Sequence, residues 1–239
     1  EAIMREATAE LLAAKDLTRP HRPLVGINGE IYLRANRFCN KDLVGVCEAN
    51  GLEVEVAPMG EWLKYTTLRN VEDARANRDL KRILRGMVRQ WLIGHHERRI
   101  AGWCEAGVHE REPSTQDLVR ASSVYLPSRN GSEAVLSIGS GVRQMAAPRF
   151  AGVVSVMPHG CMPGGIVAAM SEQISKEYGH KPWISLTYDG FPDQVNPERI
   201  ADFAEQLKHK SRRQPRETGG RSSARPDDGG QTPDAARHS

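Results

Sequence analysis

The stretch from Gly152 to Gly190 constrains the fold of this chain most. It begins with a short apolar run rich in β-branched residues, which predicts a buried strand over 152–157 rather than a membrane span. Apolar residues then recur at helical spacing, so the sequence predicts a helix over 166–178. A second apolar run predicts a strand over 183–188. A strand, a helix and a strand in this order favour a parallel pair joined by a right-handed crossover.

The first quarter of the chain has a similar pattern. Strong helix formers fill residues 2–14, and an apolar run over 24–27 predicts a short buried strand. A helix over 41–50, with Asn40 as its N-cap, precedes an alternating strand over 52–56. The whole pattern predicts an α/β fold: a Rossmann-like open, mainly parallel sheet with helices on both faces and an inserted helical stretch.

We expect one α/β domain over residues 1–210, with the helical insertion at about 60–148. Within it an apolar stripe lies opposite a row of basic residues, and interspersed acids indicate that this basic row is solvated. From Ser211 the apolar residues other than alanine disappear, so a disordered tail is expected over 211–239. The stripe consists of Leu80, Ile83, Leu84, Met87, Val88, Trp91 and Leu92.

Charge and composition exclude several classes of protein. The net charge of +3 argues for neither a nucleic-acid partner nor an anionic membrane surface, and no apolar run is long enough to span a membrane. The four cysteines are unclustered, which favours the reducing cytoplasm over a disulfide framework. The chain opens with Glu1 inside a predicted helix rather than with Met, so we expect that a region upstream is missing.

Cys161 is the residue with the clearest functional position. It follows a predicted strand and precedes a predicted helix, and open parallel sheets bind ligands at such strand ends. Pro163 suits the first helical position, where the free N–H groups favour negative charge. Gly160 and Gly164 would let the backbone approach a ligand closely. The alternative is a small cysteine in a tight turn without chemistry.

Four segments resemble, in the expected order, the motifs of one family over about residues 23–208. That family groups 2-hydroxyacyl-CoA dehydratase subunits with the large acyl-CoA dehydratase activase-related proteins. Residues 157–164, Met-Pro-His-Gly-Cys-Met-Pro-Gly, resemble its PFxCMPG signature. The segment Gly29–Arg34 with Asn36, Phe38 and Asn40 resembles GEIYxRxNxFxN, Glu61 and Trp62 with Tyr65 resemble EWxxY, and Asp189 and Gly190 with Asn196, Arg199 and Ile200 resemble DG…NxxRI.

This resemblance implies an iron–sulfur protein used in low-potential electron transfer for acyl-CoA dehydration, with a [4Fe–4S] cluster between Rossmann-like halves. Only Cys161 matches a ligand position of the family, and Gly160 and Gly164 flank it; Cys39 matches none. Because such a cluster usually takes four thiolates, the other ligands would come from the missing upstream region or a partner subunit. The resemblance also implies an ATP-dependent activase as a possible partner, and this chain has no phosphate-binding motif of its own.

The remaining candidate residues follow predicted strands and would face the same edge of the sheet. Glu30, Tyr32, Arg34 and Asn36 come after the first strand, and Asp189 comes after the last. They either line a cleft beside Cys161 or hold their own loop through hydrogen bonds and an ion pair. No catalytic residue is assigned. The competing hypothesis is a non-catalytic, flavodoxin-like module for ligand binding or assembly.

Overall fold

A computed structural model describes residues 1–16, 18, 20–104, 113–127, 131–190 and 197–213, with side chains to 210. The amino-terminal half contains α1 (Ala2–Ala13), β1 (Leu24–Gly29), α2 (Ile31–Ala35), α3 (Leu43–Ala49), β2 (Glu53–Val56), α4 (Gly60–Ala76) and α5 (Leu80–Trp103). The other half contains α6 (Thr115–Ser123), α7 (Glu133–Ala146), β3 (Phe150–Pro158), α8 (Met162–Glu177), β4 (Trp183–Tyr188) and α9 (Pro197–Arg213).

The four described strands form one parallel sheet in the order β2-β1-β3-β4. The chain passes from β1 to one neighbour, β2, and later returns to the other side of β1 as β3. The order therefore reverses between β1 and β3, which pair from Leu24 with Phe150 to Gly29 with Val156. This topology confirms the predicted α/β class with a Rossmann-like open sheet.

Helices cover both faces of the sheet because successive side chains of each strand point to opposite sides. On one face, Val25 and Ile27 of β1 and Val154 of β3 pack with α3 and α9. On the other, Val153 and Met157 of β3 pack with α6, α7 and α8. Buried strands of this kind require cover on both sides, which explains their nearly continuous apolar sequence.

The face beneath α7 also contains a buried polar chain. Asn28 donates a hydrogen bond to Gln144 at 3.3 Å, and Ser155 donates one to Asn28. Trp183 donates from its indole nitrogen to the Ser155 hydroxyl at 2.8 Å. These groups satisfy one another across β1, β3 and β4, as buried polar groups must to avoid a large desolvation penalty.

Several element boundaries differ from the sequence prediction. The helix after Cys161 begins at Met162 rather than residue 166, so Pro163 is its second residue. Gly164 and Gly165 have no apolar side chains, so the first turn of this helix shows no helical periodicity in the sequence. The N-cap position of α3 is occupied by Asp42, not by the predicted Asn40. The side-chain oxygen of Asn40 nevertheless accepts a hydrogen bond from the Leu43 amide at 3.2 Å.

The helices α4 and α5 form a hairpin. The face of α5 that packs on α4 is not its apolar stripe. Gly86 of α5 lies against Val71 of α4, and Lys64 forms an ion pair with Glu97 at 2.6 Å. No residue of α5 is buried, and most of the apolar stripe faces solvent. The two helices therefore contact through a narrow strip of α5.

Some predicted features lie outside the described residues. They are the tail from residue 214 onward, Asn196 of the last motif, and parts of the 60–148 stretch at 105–112 and 128–130. Residues 211–213, which were assigned to the tail, belong to α9. In the part of the chain that the structure describes, no helix combines the length and the apolar character needed to cross a membrane.

Candidate functional site

The candidate site lies where β1 and β3 end side by side, at the point where the strand order reverses. Ligands of open α/β sheets bind at this place, because the loops of neighbouring strands leave in opposite directions there. The Glu30 amide donates to the Val156 carbonyl at 2.8 Å and ties the two strand ends together. Gly29 has a φ of +113°, and a Cβ there would lie 2.0 Å from the Val156 oxygen. Only glycine permits this approach.

A narrow pocket at this edge brings together residues that are far apart in sequence. Its closed part offers about 10 Å³, roughly the room for one water molecule. Glu30 follows β1, Cys161 follows β3, and Glu133 begins α7. The full lining is Gly29, Glu30, Glu133, Ala134, Ser137, Val156, Met157, Cys161, Pro163, Gly164 and Val167.

Cys161 is the N-cap residue of α8 and is partly exposed. Its amide donates to the Pro158 carbonyl at 3.2 Å, and its carbonyl accepts from the Gly165 amide at 2.9 Å. Gly160 has a φ of +70°, which the tight turn after β3 requires. The turn therefore holds the thiol at the mouth of the pocket, ahead of the first turn of α8.

Gly164 sets how closely α8 approaches the sheet. It is buried, and a Cβ at this position would lie 2.5 Å from the sulfur and 2.9 Å from the Cβ of Met157. The neighbouring Gly165 has open space around it. One of the two glycines in the motif thus has a packing role, and it fixes the distance between Cys161 and the end of β3.

Arg34 lies beneath the site rather than in it. Its side chain is 3% exposed, and its guanidinium lies 3.7 Å from the Glu61 carboxylate, which is 4% exposed. It also donates to the Gly29 carbonyl at 3.3 Å and the Pro58 carbonyl at 2.9 Å. Burial lowers the pKa of Arg34, and Glu61 opposes this change. The ion pair therefore joins α2, which follows β1, to the start of α4, which follows β2.

Glu30 contributes to its own loop as well as to the pocket. Its carboxylate accepts from the amides of Tyr32 at 3.1 Å and Leu33 at 2.6 Å, which caps α2. The short helix α2 was missed by the sequence analysis, because five residues are too few to show a helical period. Of the two roles considered for the segment after β1, these contacts display loop support for Arg34, whereas Glu30 both supports its loop and lines the pocket.

Tyr32, Asn36 and Asp189 are not among the residues that line the pocket. Tyr32 is 58% exposed, and its hydroxyl accepts from the Asn36 side chain at 2.7 Å. Asn36 also accepts from the Cys39 amide at 3.0 Å. Asp189 directly follows β4, the outer strand beside β3. These three residues lie at the same end of the sheet but outside the small pocket.

Glu133 is a site residue that the sequence analysis did not identify. It is the first residue of α7, and burial together with the nearby Glu30 carboxylate raises its pKa, while Arg34 acts in the opposite direction. A Gly-Ser-Glu helix start is too common to indicate a site. The packing of α7 across β1 and β3 places this carboxyl beside Cys161, and no local pattern contains that information.

The donor set here provides only part of an iron–sulfur site. Among the residues that the structure describes, no group of three or more His, Cys, Asp and Glu side chains could hold a metal ion. Cys47 is fully buried, and Cys39 packs against the core of the α3 face. A cubane cluster needs about four thiolates. The described residues fit one ligand of such a cluster, Cys161, and not the complete site.

Comparisons with protein-family models, with curated proteins and with solved structures gave no match to this chain.

Proposed function

We propose that this chain is the C-terminal part of an iron–sulfur protein related to the 2-hydroxyacyl-CoA dehydratases and their activases, working in the cytoplasm. One observation carries the proposal. Three segments that resemble the family's motifs, separated by tens of residues, meet at one edge of the sheet. Arg34 of the first pairs with Glu61 of the second, and Glu30 of the first lines a pocket with Cys161 of the third.

In this proposal Cys161 supplies one thiolate ligand, held by the turn through Gly160 and by the packing of Gly164 against Met157. The Arg34–Glu61 pair fixes α2 and the start of α4, which lie beneath the site. The remaining ligands come from an upstream region or a partner subunit, and an ATP-dependent activase is the further partner in the manner of the family. A cluster assembled there would supply low-potential electrons for acyl-CoA dehydration.

The test is anaerobic reconstitution of the longest natural form of the protein with iron and sulfide. We expect about four irons per cubane cluster and a broad visible absorption. The Cys161→Ala variant should lose most of both. A Cys104→Ala variant is the matched control, because Cys104 is also partly exposed but follows α5, outside the pocket. Absence of iron in the wild type, or equal iron in the Cys161 variant, would overturn the proposal.

A second candidate is a non-catalytic, flavodoxin-like module for ligand binding or assembly. The observation that favours it is the pocket, which has room for about one water molecule and too few donors for a cluster. In that case the reconstituted wild type binds no iron. Cys161→Ala then leaves binding of any partner unchanged, which a pull-down with the purified chain would measure.

A further inference from the structure

The longest helix that the structure describes, α5, presents its most apolar face to solvent. We define the α5 face as Leu80, Leu84, Met87, Val88, Trp91 and Leu92, whose residues are between 43% and 78% exposed. The opposite side of α5 packs on α4, so this face has no cover in the described part of the chain. A contiguous exposed apolar face of this kind marks an interaction site.

The α5 face has basic residues along one side. Lys81, Arg85 and Arg89 are spaced four residues apart. Each comes directly after a residue of the α5 face in the sequence. None of them forms an ion pair with an acid in the described ranges. The single acid of the helix, Glu97, pairs with Lys64 of α4. An occupant of this face should therefore be amphipathic and acidic along one edge.

Among the helices that the structure describes, α1 has these properties. We define the α1 face as Ile3, Ala7 and Leu11, with Glu6 and Glu10 along one side. No residue of α1 is buried; Ile3 is 79% and Leu11 75% exposed. Within one molecule α1 touches α5 but leaves both faces open. Each face thus has an exposed apolar row, and the charged row beside the α1 face is opposite in sign to the one beside the α5 face.

We propose that the occupant of the α5 face is the α1 helix of a second copy of this chain. A two-fold axis makes the contact twice, since each copy offers both helices. In a parallel pair of helices, the residues that directly follow the apolar positions of one helix meet the residues that directly precede the apolar positions of the other. The basic residues of α5 directly follow residues of the α5 face, and Glu6 and Glu10 directly precede residues of the α1 face. The two helices therefore run parallel.

Charge argues against the other occupants. Two α5 faces packed together would bring Lys81, Arg85 and Arg89 of each copy close to those of the other, at a cost in Coulomb energy. An anionic membrane or a nucleic acid would attract α5 but repel Glu6 and Glu10 of the adjacent α1. Exchange of α1 between two copies satisfies both charge rows and covers both apolar faces.

Sedimentation velocity over a concentration series at low salt tests the proposal. We expect the wild type to dimerise. Two reversed variants should each raise the dimer dissociation constant by about tenfold or more: Glu6→Lys with Glu10→Lys, and Arg85→Glu with Arg89→Glu. An equimolar mixture of the two variants should restore dimers, because the reversed rows complement each other between copies.

Two controls keep the result specific. Lys176→Glu with Arg120→Glu changes the net charge by the same amount on α8 and α6 and should leave the dimer unchanged. Leu84→Ser with Trp91→Ser should abolish the dimer without lowering the free energy of unfolding of the monomer, since both side chains are exposed. Circular dichroism confirms that each variant is folded.

A wild type that stays monomeric at every concentration overturns the proposal. So does a dimer that survives both charge reversals at low salt, which would indicate contact through another surface. If each reversed variant alone dimerised as tightly as the equimolar mixture, this would also indicate contact through another surface. Binding of the wild-type monomer to vesicles with anionic lipid would instead assign the α5 face to a membrane surface.

Discussion

At the scale of single residues, buried ionisable groups decide how the candidate site is held. Arg34 and Glu61 are almost fully buried, and Arg34 also donates hydrogen bonds to the carbonyls of Gly29 and Pro58. A buried ion pair contributes little net stability compared with apolar residues of similar size, but removal of one partner is costly. This pair therefore serves to fix the position of α2 relative to the start of α4.

We expect Arg34→Met to lower the free energy of unfolding by about 3–5 kcal/mol, because it removes the cation beside a buried carboxylate. The double variant Arg34→Met with Glu61→Leu should recover most of that loss. Urea denaturation of the wild type, both single variants and the double variant measures the coupling. Additive effects of the two substitutions would show that the pair does not act as a unit.

Cys47 gives stability a dependence on alkaline pH. Burial, with a smaller contribution from Glu48, raises the pKa of its thiol to about 11 from an ordinary value of 9.0. Between these two pH values the folded chain keeps a proton that the unfolded chain releases, so stability falls as pH rises. By pH 11 this group should have cost about 2 kcal/mol.

The corresponding measurement compares wild type and Cys47→Ala in urea at several pH values from 8 to 11. The variant should be less stable at neutral pH because of the lost packing, and its stability should decline less steeply above pH 9. Parallel curves for the two proteins would contradict the assignment. Labelling with iodoacetamide at pH 8 should modify Cys161 well before Cys47.

At the scale of elements, the start of α8 depends on two adjacent glycines with different surroundings. A Cβ at position 164 would enter the space of Met157, whereas a Cβ at position 165 meets no atom within 4 Å. The sequence motif presents them as equivalent. The packing of the helix on β3 distinguishes them.

Gly164→Ala should therefore destabilise the protein by about 1–3 kcal/mol through overpacking. Gly165→Ala should be neutral or stabilise by up to about 1 kcal/mol, since alanine is the better helix former. Thermal and urea denaturation of the two variants side by side provide the check. Equal effects of the two substitutions would mean that α8 is not seated on Met157 as described.

At the scale of the whole molecule, stability is concentrated around the two central strands. β1 and β3 have a paired strand on each side and a packed cluster on each face. By contrast, α1 and α5 bury no residue. Regions with few buried apolar contacts open at low free energy, whereas the centre opens only when the whole domain unfolds.

Native-state hydrogen exchange should show this gradient. Amides of β1 and β3 should exchange with the free energy of global unfolding, and amides of α1 and α5 several kcal/mol below it. The measurement belongs at a concentration where sedimentation shows monomers. Uniform protection across all helices would contradict the view that α1 and α5 are only loosely attached.

The sequence by itself determined the α/β class and the strands β1, β2, β3 and β4. These features depend on the local periodicity of apolar residues and on the order of the elements, and both are visible in the sequence. The same is true of the position of Cys161 between a strand and a helix.

Only the tertiary structure decided which residues meet. It brought Glu133 to Cys161, paired Arg34 with Glu61, and left Tyr32, Asn36 and Asp189 outside the small pocket. It also turned the apolar stripe of α5 away from α4. Periodicity shows that a helix has an apolar face, but the partner that covers this face depends on long-range packing, which no local pattern records.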